Sequence, residues 1–438
     1  IFLFFRKKIK NMKNIFNFKL ILQDKNARLG KLTTAHGIGD TPIFMPVGTA
    51  ATVKAMHLKD VEEAGAQIIL ANTYHLMLRP GEKNIKEMGG VRKFMGWNKP
   101  LLTDSGGFQS MRLGKLRKVE NEGVTFKSHL DGTQYFLSPK ISTDIQNALD
   151  ATISMQLDEC IPFPGSYEES ERAMKLSLEW ALKSRDAFEE RKGYGQFGIV
   201  QGSTYSDLRE LSSKKLVEID FDGYAIGGLA VGEGQELMFK TLDFTTINMP
   251  LDKPRYLMGV GYPIDLVVCV AMGVDMFDCV YPTRTARFGV ALVGTGTLRI
   301  KAKEHAQQIE PLEKDCMCPT CKNYTRSYLH VLFKENEPLA SQLMTVHNIS
   351  YMMRLMRTMR AAIMGGEAAY IEFIKMFLIN QYRKVGIPLW VLDALKVAGM
   401  PDDALLEASS QCNGNNNISD NKDGGGDDEN GNNIEGDS

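Results

Sequence analysis

The chain has 438 residues, of which 43% are hydrophobic and 24% charged, with a formal net charge of -1. That length and apolar content support a large buried core, as two or three domains or one barrel with additions. Near-neutrality excludes binding nucleic acid by bulk charge, so such a site has to be a local basic patch, and no apolar run reaches the roughly 18 residues that a membrane span needs.

Residues 1–15 read as an N-terminal extension in which Arg6, Lys7, Lys8 and Lys10 follow the apolar Ile1 to Phe5, the reverse of a signal peptide's order. Met12 is a candidate start. From Phe44 to Thr283 eight apolar runs recur, each stopped by Gly or polar residues: 44–48, 67–74, 101–109, 153–160, 197–203, 224–229, 256–261 and 276–283. Helix-length amphipathic segments such as Ser166 to Glu190 and Thr204 to Ile219 lie between most of them. Alternating strands and helices in eight units point to an α/β fold, a (β/α)8 TIM barrel over residues 16–287, with a doubly wound open sheet as the alternative. In such a barrel the carboxyl ends of the strands converge. The residues expected to meet there are Asp104, Ser105, Asp158, Gln201, the Gly227-Gly228 pair, Met258 and Asp278.

Within residues 110–150, Gly123 to Lys127 and Gln134 to Ser138 read as an inserted β-hairpin outside the barrel. Residues 288–395 read as a C-terminal zinc-binding subdomain with closing helices, one of them Leu339 to Ala362. The pattern fades after Leu395, and residues 396–438 read as a low-complexity acidic tail, expected to be disordered. Residues 413–438 hold seven acids against one Lys, which leaves the remainder of the chain slightly basic.

Cys316, Cys318 and Cys321 follow a C-x-C-x-x-C spacing that suits thiolate ligands better than a disulfide framework, which implies a reducing, cytoplasmic compartment. His347 lies on the apolar face of the Leu339 helix with Leu343 and Met344. An inward histidine is ordinarily a core residue; beside three cysteines it completes a closed, structural tetrahedral site for Zn2+.

Asp104 sits in Thr103-Asp104-Ser105-Gly106-Gly107-Phe108-Gln109, either a tight turn or a place where paired glycines let a ligand approach the backbone. Asp158 and Gln201 offer acceptors and donors for the edge of a planar heterocycle, Gly227-Gly228-Leu229 adds backbone groups, and Phe108 and Met258 are core fillers or the two faces of a ring slot. Two acids, Asp104 and Asp278, facing an anomeric carbon allow displacement through a covalent sugar–enzyme intermediate. Arg284, Arg287, Arg299, Lys301, Lys303, Lys322 and Arg326, together with Arg354, Arg357 and Arg360 at every third position, flank this region and favour contact with RNA phosphates over a merely solvated face.

The motifs TDSGGFQ, SHLDG, LDECIPFP, FGIVQGS, GYAIGGLAVGEG, PRYLMGVG, DMFDCVYPTR, CMCPTCKNY, YLH and TVHN closely resemble those of tRNA-guanine transglycosylases of the bacterial type, over about Phe16 to Pro388. The resemblance implies exchange of the guanine at the first anticodon position of tRNA(Asp, Asn, His, Tyr) for a 7-deazaguanine base, on a zinc-bearing barrel. It implies Asp278 as nucleophile and Asp104 as general acid and base. Asp158, Gln201, Gly228 and Leu229 would read the base, Phe108 and Met258 would stack on it, and Ser105 would line its pocket. Arg284 and Arg287 would meet phosphates, and Cys316, Cys318, Cys321 and His347 would hold the zinc. Cys160 and Val231 resemble the pattern that selects preQ1, with queuine as the alternative base; a homodimer is implied too. A non-catalytic tRNA-binding subunit is a rival from another class, though it has no need of both acids, and a sugar hydrolase on the same barrel is a third. Three features depart from the family: Phe108 stands where Tyr is common, Phe288 where Asn or His is usual, and Ala291-Leu292-Val293 is an unusual run.

Overall fold

The fold is described from a computed structural model, which covers residues 16–112 and 117–413; the N-terminal extension and residues 414–438 of the tail lie outside the described residues. The chain opens with an antiparallel sheet that the sequence reading did not anticipate, β1 (Asn17–Asp24), β2 (Ala27–Thr34) and β3 (Gly37–Thr41). The barrel follows as β4 (Ile43–Pro46), β5 (Ile69–Ala71) and β6 (Leu101–Thr103). After the inserted sheet of β7 (Arg117–Glu120), β8 (Gly123–Lys127) and β9 (Gln134–Leu137) it resumes with β10 (Ile153–Met155), β11 (Gly195–Val200), β12 (Gly223–Ile226), β13 (Arg255–Leu257) and β14 (Met276–Cys279).

The eight barrel strands are parallel in the order β4-β14-β13-β12-β11-β10-β6-β5. The ring closes where Val47 bridges Leu70 and the Gly48 N–H donates to the Leu70 carbonyl at 2.6 Å. Most of these strands are buried along their whole length, which is why they read as continuous apolar runs. Alternation still divides them. Ile43, Met45, Leu70, Met155, Ile199 and Met276 fill the barrel interior with Phe18 of β1 and Phe16 just before it, while Phe44, Ile69, Val200 and Phe277 face the helices outside.

The amino-terminal end of the barrel is tied by charge. Arg28 of β2, fully buried, donates to the carbonyls of Leu251 and Lys253 at 3.0 and 2.9 Å and pairs with Asp275 at 3.3 Å. Asp275 accepts from the Arg255 N–H at 2.8 Å, so the acid three residues before Asp278 is structural.

The insertion carries three strands instead of two; β7 reads Arg-Lys-Val-Glu, and its one apolar residue leaves no alternation to detect. Beyond the barrel come the hairpin β15 (Val290–Val293) and β16 (Gly296–Arg299), and then a helical region dominated by Pro338–Met364. The last helix, Asp402–Asn413, lies inside the stretch assigned to the tail. It is anchored by Leu405, Ala408 and Cys412, a spacing of three and four that puts them on one buried face. Among the described residues, no helix is long and apolar enough to cross a membrane.

Candidate active site and metal centre

The carboxyl ends of the barrel strands bring the expected polar residues into one cleft. Asp104 follows β6 and is buried. It accepts hydrogen bonds from the Thr73 N–H on Oδ1 at 2.7 Å, and from Asn72 Nδ2 and Gln109 Nε2 on Oδ2 at 2.5 and 2.7 Å. Burial outweighs these donors and raises its pKa.

Asp278 is the last residue but one of β14 and is partly exposed. Both of its hydrogen bonds fall on Oδ1, from the Tyr256 hydroxyl at 2.5 Å and the Gly259 N–H at 2.9 Å. One oxygen is thus held by a buried phenol and a backbone amide, while Oδ2 takes neither bond. Desolvation, with the Asp104 charge adding to it, pushes its pKa up to about 6. The two acids leave β6 and β14 at the same end of the barrel, with no hydrogen bond between them among those of either carboxyl given above.

The pocket beside them is lined by Asp158, which accepts from Ser105 Oγ at 3.1 Å and Gln201 Nε2 at 2.7 Å and is likewise pushed to about 6 by burial. Space is tight: a Cβ on Gly107 would lie 2.6 Å from the Asp158 carbonyl oxygen, and one on Gly228 2.5 Å from Gln201 Oε1. Gly228 has φ +65°, a left-handed turn that favours glycine. Cys160 is buried against this pocket and burial pushes its thiol up to about 12, so it is a neutral wall. Leu229 is buried, and Phe108 and Met258 are each partly exposed.

The candidate metal centre lies in the C-terminal region. Cys316, Cys318, Cys321 and His347 are buried, their ligand atoms all within 4.8 Å of one another. His347 Nδ1 is 3.8, 3.6 and 3.3 Å from the three sulfurs. A tetrahedral ion with ordinary zinc bond lengths sets sulfur–nitrogen separations of about 3.6 Å, so the group fits one. His347 Nε2 is 2.8 Å from the Leu292 carbonyl. That bond makes Nε2 the protonated nitrogen and leaves the Nδ1 lone pair for the ion. The neighbouring Asn348 bonds the Pro282 and Val290 carbonyls and the Leu292 N–H, so the helix that carries His347 also grips the segment just after Asp278.

Residues 24–383 match the family model described as queuine tRNA-ribosyltransferase. The chain is 55% identical over 352 residues to the queuine tRNA-ribosyltransferase of Rickettsia bellii (strain OSU 85-389) and 56% identical over 352 residues to that of Rickettsia typhi (strain ATCC VR-144 / Wilmington). Each alignment covers 80% of this chain and 98% of the relative. The chain belongs to the queuine tRNA-ribosyltransferase family. It is therefore an enzyme of the tRNA-guanine transglycosylase class, as its motifs led one to expect.

For a member of this family the cleft holds more than its motifs announced. Asn72, Thr73 and Gln109 fix Asp104, and Tyr256 and Gly259 fix Asp278; Asn72, Thr73 and Gly259 come just after strands, so the convergence rule could have named them, while Tyr256 lies within β13 and Gln109 on the helix after β6. Arg209 could not be found that way, because its partners are carbonyls.

The arginine run of the long helix departs from expectation. Arg354 pairs with Glu313, Arg357 donates to the Ala64 carbonyl at 3.1 Å, and Arg360 donates to the Asp40 and Pro42 carbonyls at 3.2 and 2.7 Å. Arg326 is spent on Pro311, Gln308 and Leu312. Arg326 and Arg360 close backbone carbonyls and Arg354 is committed to a carboxylate, whereas Arg357 bonds a carbonyl and is still exposed. Arg299, Lys301, Lys303, Lys322 and Phe288 are exposed; Arg284 and Arg287 lie partly exposed on the helix Tyr281–Arg287 that leaves β14.

Proposed function

We propose that the enzyme exchanges guanine at the first anticodon position of tRNA(Asp, Asn, His, Tyr) for preQ1. The observation that carries this reading is Asp278, anchored through Oδ1 alone beside a second carboxyl and a pocket lined with base-edge partners. The target nucleotide turns out of the loop into the cleft. Asp278 Oδ2 attacks C1′ of the ribose, the C1′–N9 bond breaks, and the leaving guanine takes a proton from Asp104. In the second half Asp104 removes the N9 proton of the incoming base, N9 attacks C1′, and the ester to Asp278 breaks. Asp158 and Gln201 hold the base edge, Ser105 orients Asp158, Gly228 and Leu229 add backbone donors, and Phe108 and Met258 stack on the ring. Arg284 and Arg287 hold flanking phosphates. Zinc, held by Cys316, Cys318, Cys321 and His347, supports structure only.

Incubation of the metal-loaded chain with unmodified tRNA and labelled preQ1 tests this reading, with label expected in the tRNA; a folded sample that incorporates none sinks it. Queuine is the second reading, favoured by the names of the relatives. Cys160 and Val231 favour the smaller base, so preQ1 is expected to win a direct competition. The enzyme works as a homodimer in the cytoplasm, consistent with seven cysteines free of disulfides. A monomer in light scattering at assay concentration counts against the dimer.

The reaction needs Asp278 and Asp158 as carboxylates, and burial sets both near 6. Since each raised acid is protonated below its pKa, kcat/KM should fall as pH drops through about 6, approaching a hundredfold per unit where both titrate together. Exchange rates unchanged from pH 5 to 8 would show that neither ionisation matters.

A further inference from the structure

Arg209 lies in the helix Ser206–Ile219 and is completely buried. Its Nε donates to the Ser203 carbonyl at 2.7 Å, and Nη1 donates to the carbonyls of Val200 at 2.9 Å and Gly227 at 2.8 Å. Nη2 reaches the Gly228 carbonyl at 3.5 Å. Among the described residues no carboxylate lies within ion-pair distance of it. A buried cation without a counter-ion is costly, and tying down a turn does not by itself require a charge. The planar fork does something that a lysine cannot: it spans the ends of β11 and β12 at once.

In a trans peptide the N–H points opposite to the C=O. With the carbonyls of Gly227 and Gly228 turned onto the guanidinium, the N–H groups of Gly228 and Leu229 face away from it. The Gly228 N–H lies toward the Cys160 sulfur, on the pocket side. The left-handed φ of Gly228 permits both carbonyls to turn the same way. A cation on the oxygen of a peptide withdraws electron density from its nitrogen and strengthens the N–H as a donor.

We propose that Arg209 is a positioning residue for base selection. Its charge turns and polarises the Gly228 and Leu229 N–H groups as donors to the C6 carbonyl oxygen that guanine shares with its 7-deaza replacement. The inference rests on the base-exchange reading and adds to it the group that makes the pocket select an oxo base.

The test compares the wild-type chain, Arg209→Met and Arg209→Lys, all metal-loaded. The incoming bases are 7-deazaguanine and 2-amino-7-deazapurine, which is the same ring without the C6 oxygen. Wild type is expected to prefer the oxo base. In Arg209→Met the KM for 7-deazaguanine should rise on the order of tenfold or more, with a smaller change in kcat and an equal loss of preference between the two bases. Arg209→Lys keeps the charge and loses the fork, and should fall between the two. A folded Arg209→Met that keeps the wild-type preference overturns the proposal; if that variant does not fold, Arg209→Lys with unchanged KM and preference overturns it. A wild-type chain that exchanges no base at all overturns the base-exchange reading and this inference with it.

Discussion

Replacing Asp278 by Asn should abolish the covalent protein–RNA adduct and lower base exchange by about 10^4-fold or more, the scale on which loss of a covalent nucleophile is felt. The substitution is nearly isosteric. Asn can keep its amide oxygen toward the Tyr256 hydroxyl and the Gly259 N–H, which both donate to Oδ1 of the native residue, so the fold and tRNA binding should survive. What is lost, on the proposed mechanism, is the anionic oxygen that attacks C1′. Asp104→Asn offers the contrast: its neighbours Asn72, Thr73 and Gln109 are donors arranged for a carboxyl, and without a proton to give, guanine departs slowly while the nucleophile stays in place. The decisive measurement is trapping on denaturing gels with tRNA in excess. An adduct that persists in Asp278→Asn reassigns the nucleophile.

Removing the metal is the second large effect. Free zinc modules owe about 10–16 kcal/mol to their ion, but this subdomain also has its own apolar core, with Leu329, Phe333 and Met344 buried beside the cysteines. The loss should therefore be partial: chelation, or His347→Ala, should lower the thermal midpoint by roughly 10 °C, and activity should fall with it. The coupling is visible in the chain. With the ion gone, the bond from His347 to Leu292 loses its constraint, and Asn348, which holds Pro282 just after Asp278, loosens with it. Metal analysis should find one ion per chain. A midpoint unmoved by complete removal would mean that the cysteines and His347 pack as an ordinary core.

Much of the barrel was legible because its strands are buried on both faces and end in residues of another character. Met276-Phe277-Asp278 is the clearest case, an apolar run whose first polar residue emerges at the mouth. The same rule found Asp104, Asp158 and Gln201. It passed over Asn72 only because the neighbouring Tyr74 extended the apparent run. Failures came where the partner is backbone. Arg209, Arg357 and Arg360 bond main-chain carbonyls, which every residue possesses, so no spacing in the sequence distinguishes them from solvated arginines. The three-residue recurrence of Arg354, Arg357 and Arg360 was real, but its meaning depended on what the helix lay against. β7 escaped for a different reason: on a small sheet beside solvent, one valine among charges carries no period.

The helix Pro338–Met364 joins two ends of the molecule, with His347 in the metal group and Arg360 on the carbonyls of Asp40 and Pro42, where the first barrel strand begins. That strand also pairs with β14, more than 200 residues later. The seam of the barrel is therefore closed by contacts far apart in sequence, from β14 on one side and from Arg360 on the other, and such long-range pairing makes closure a slow step of folding.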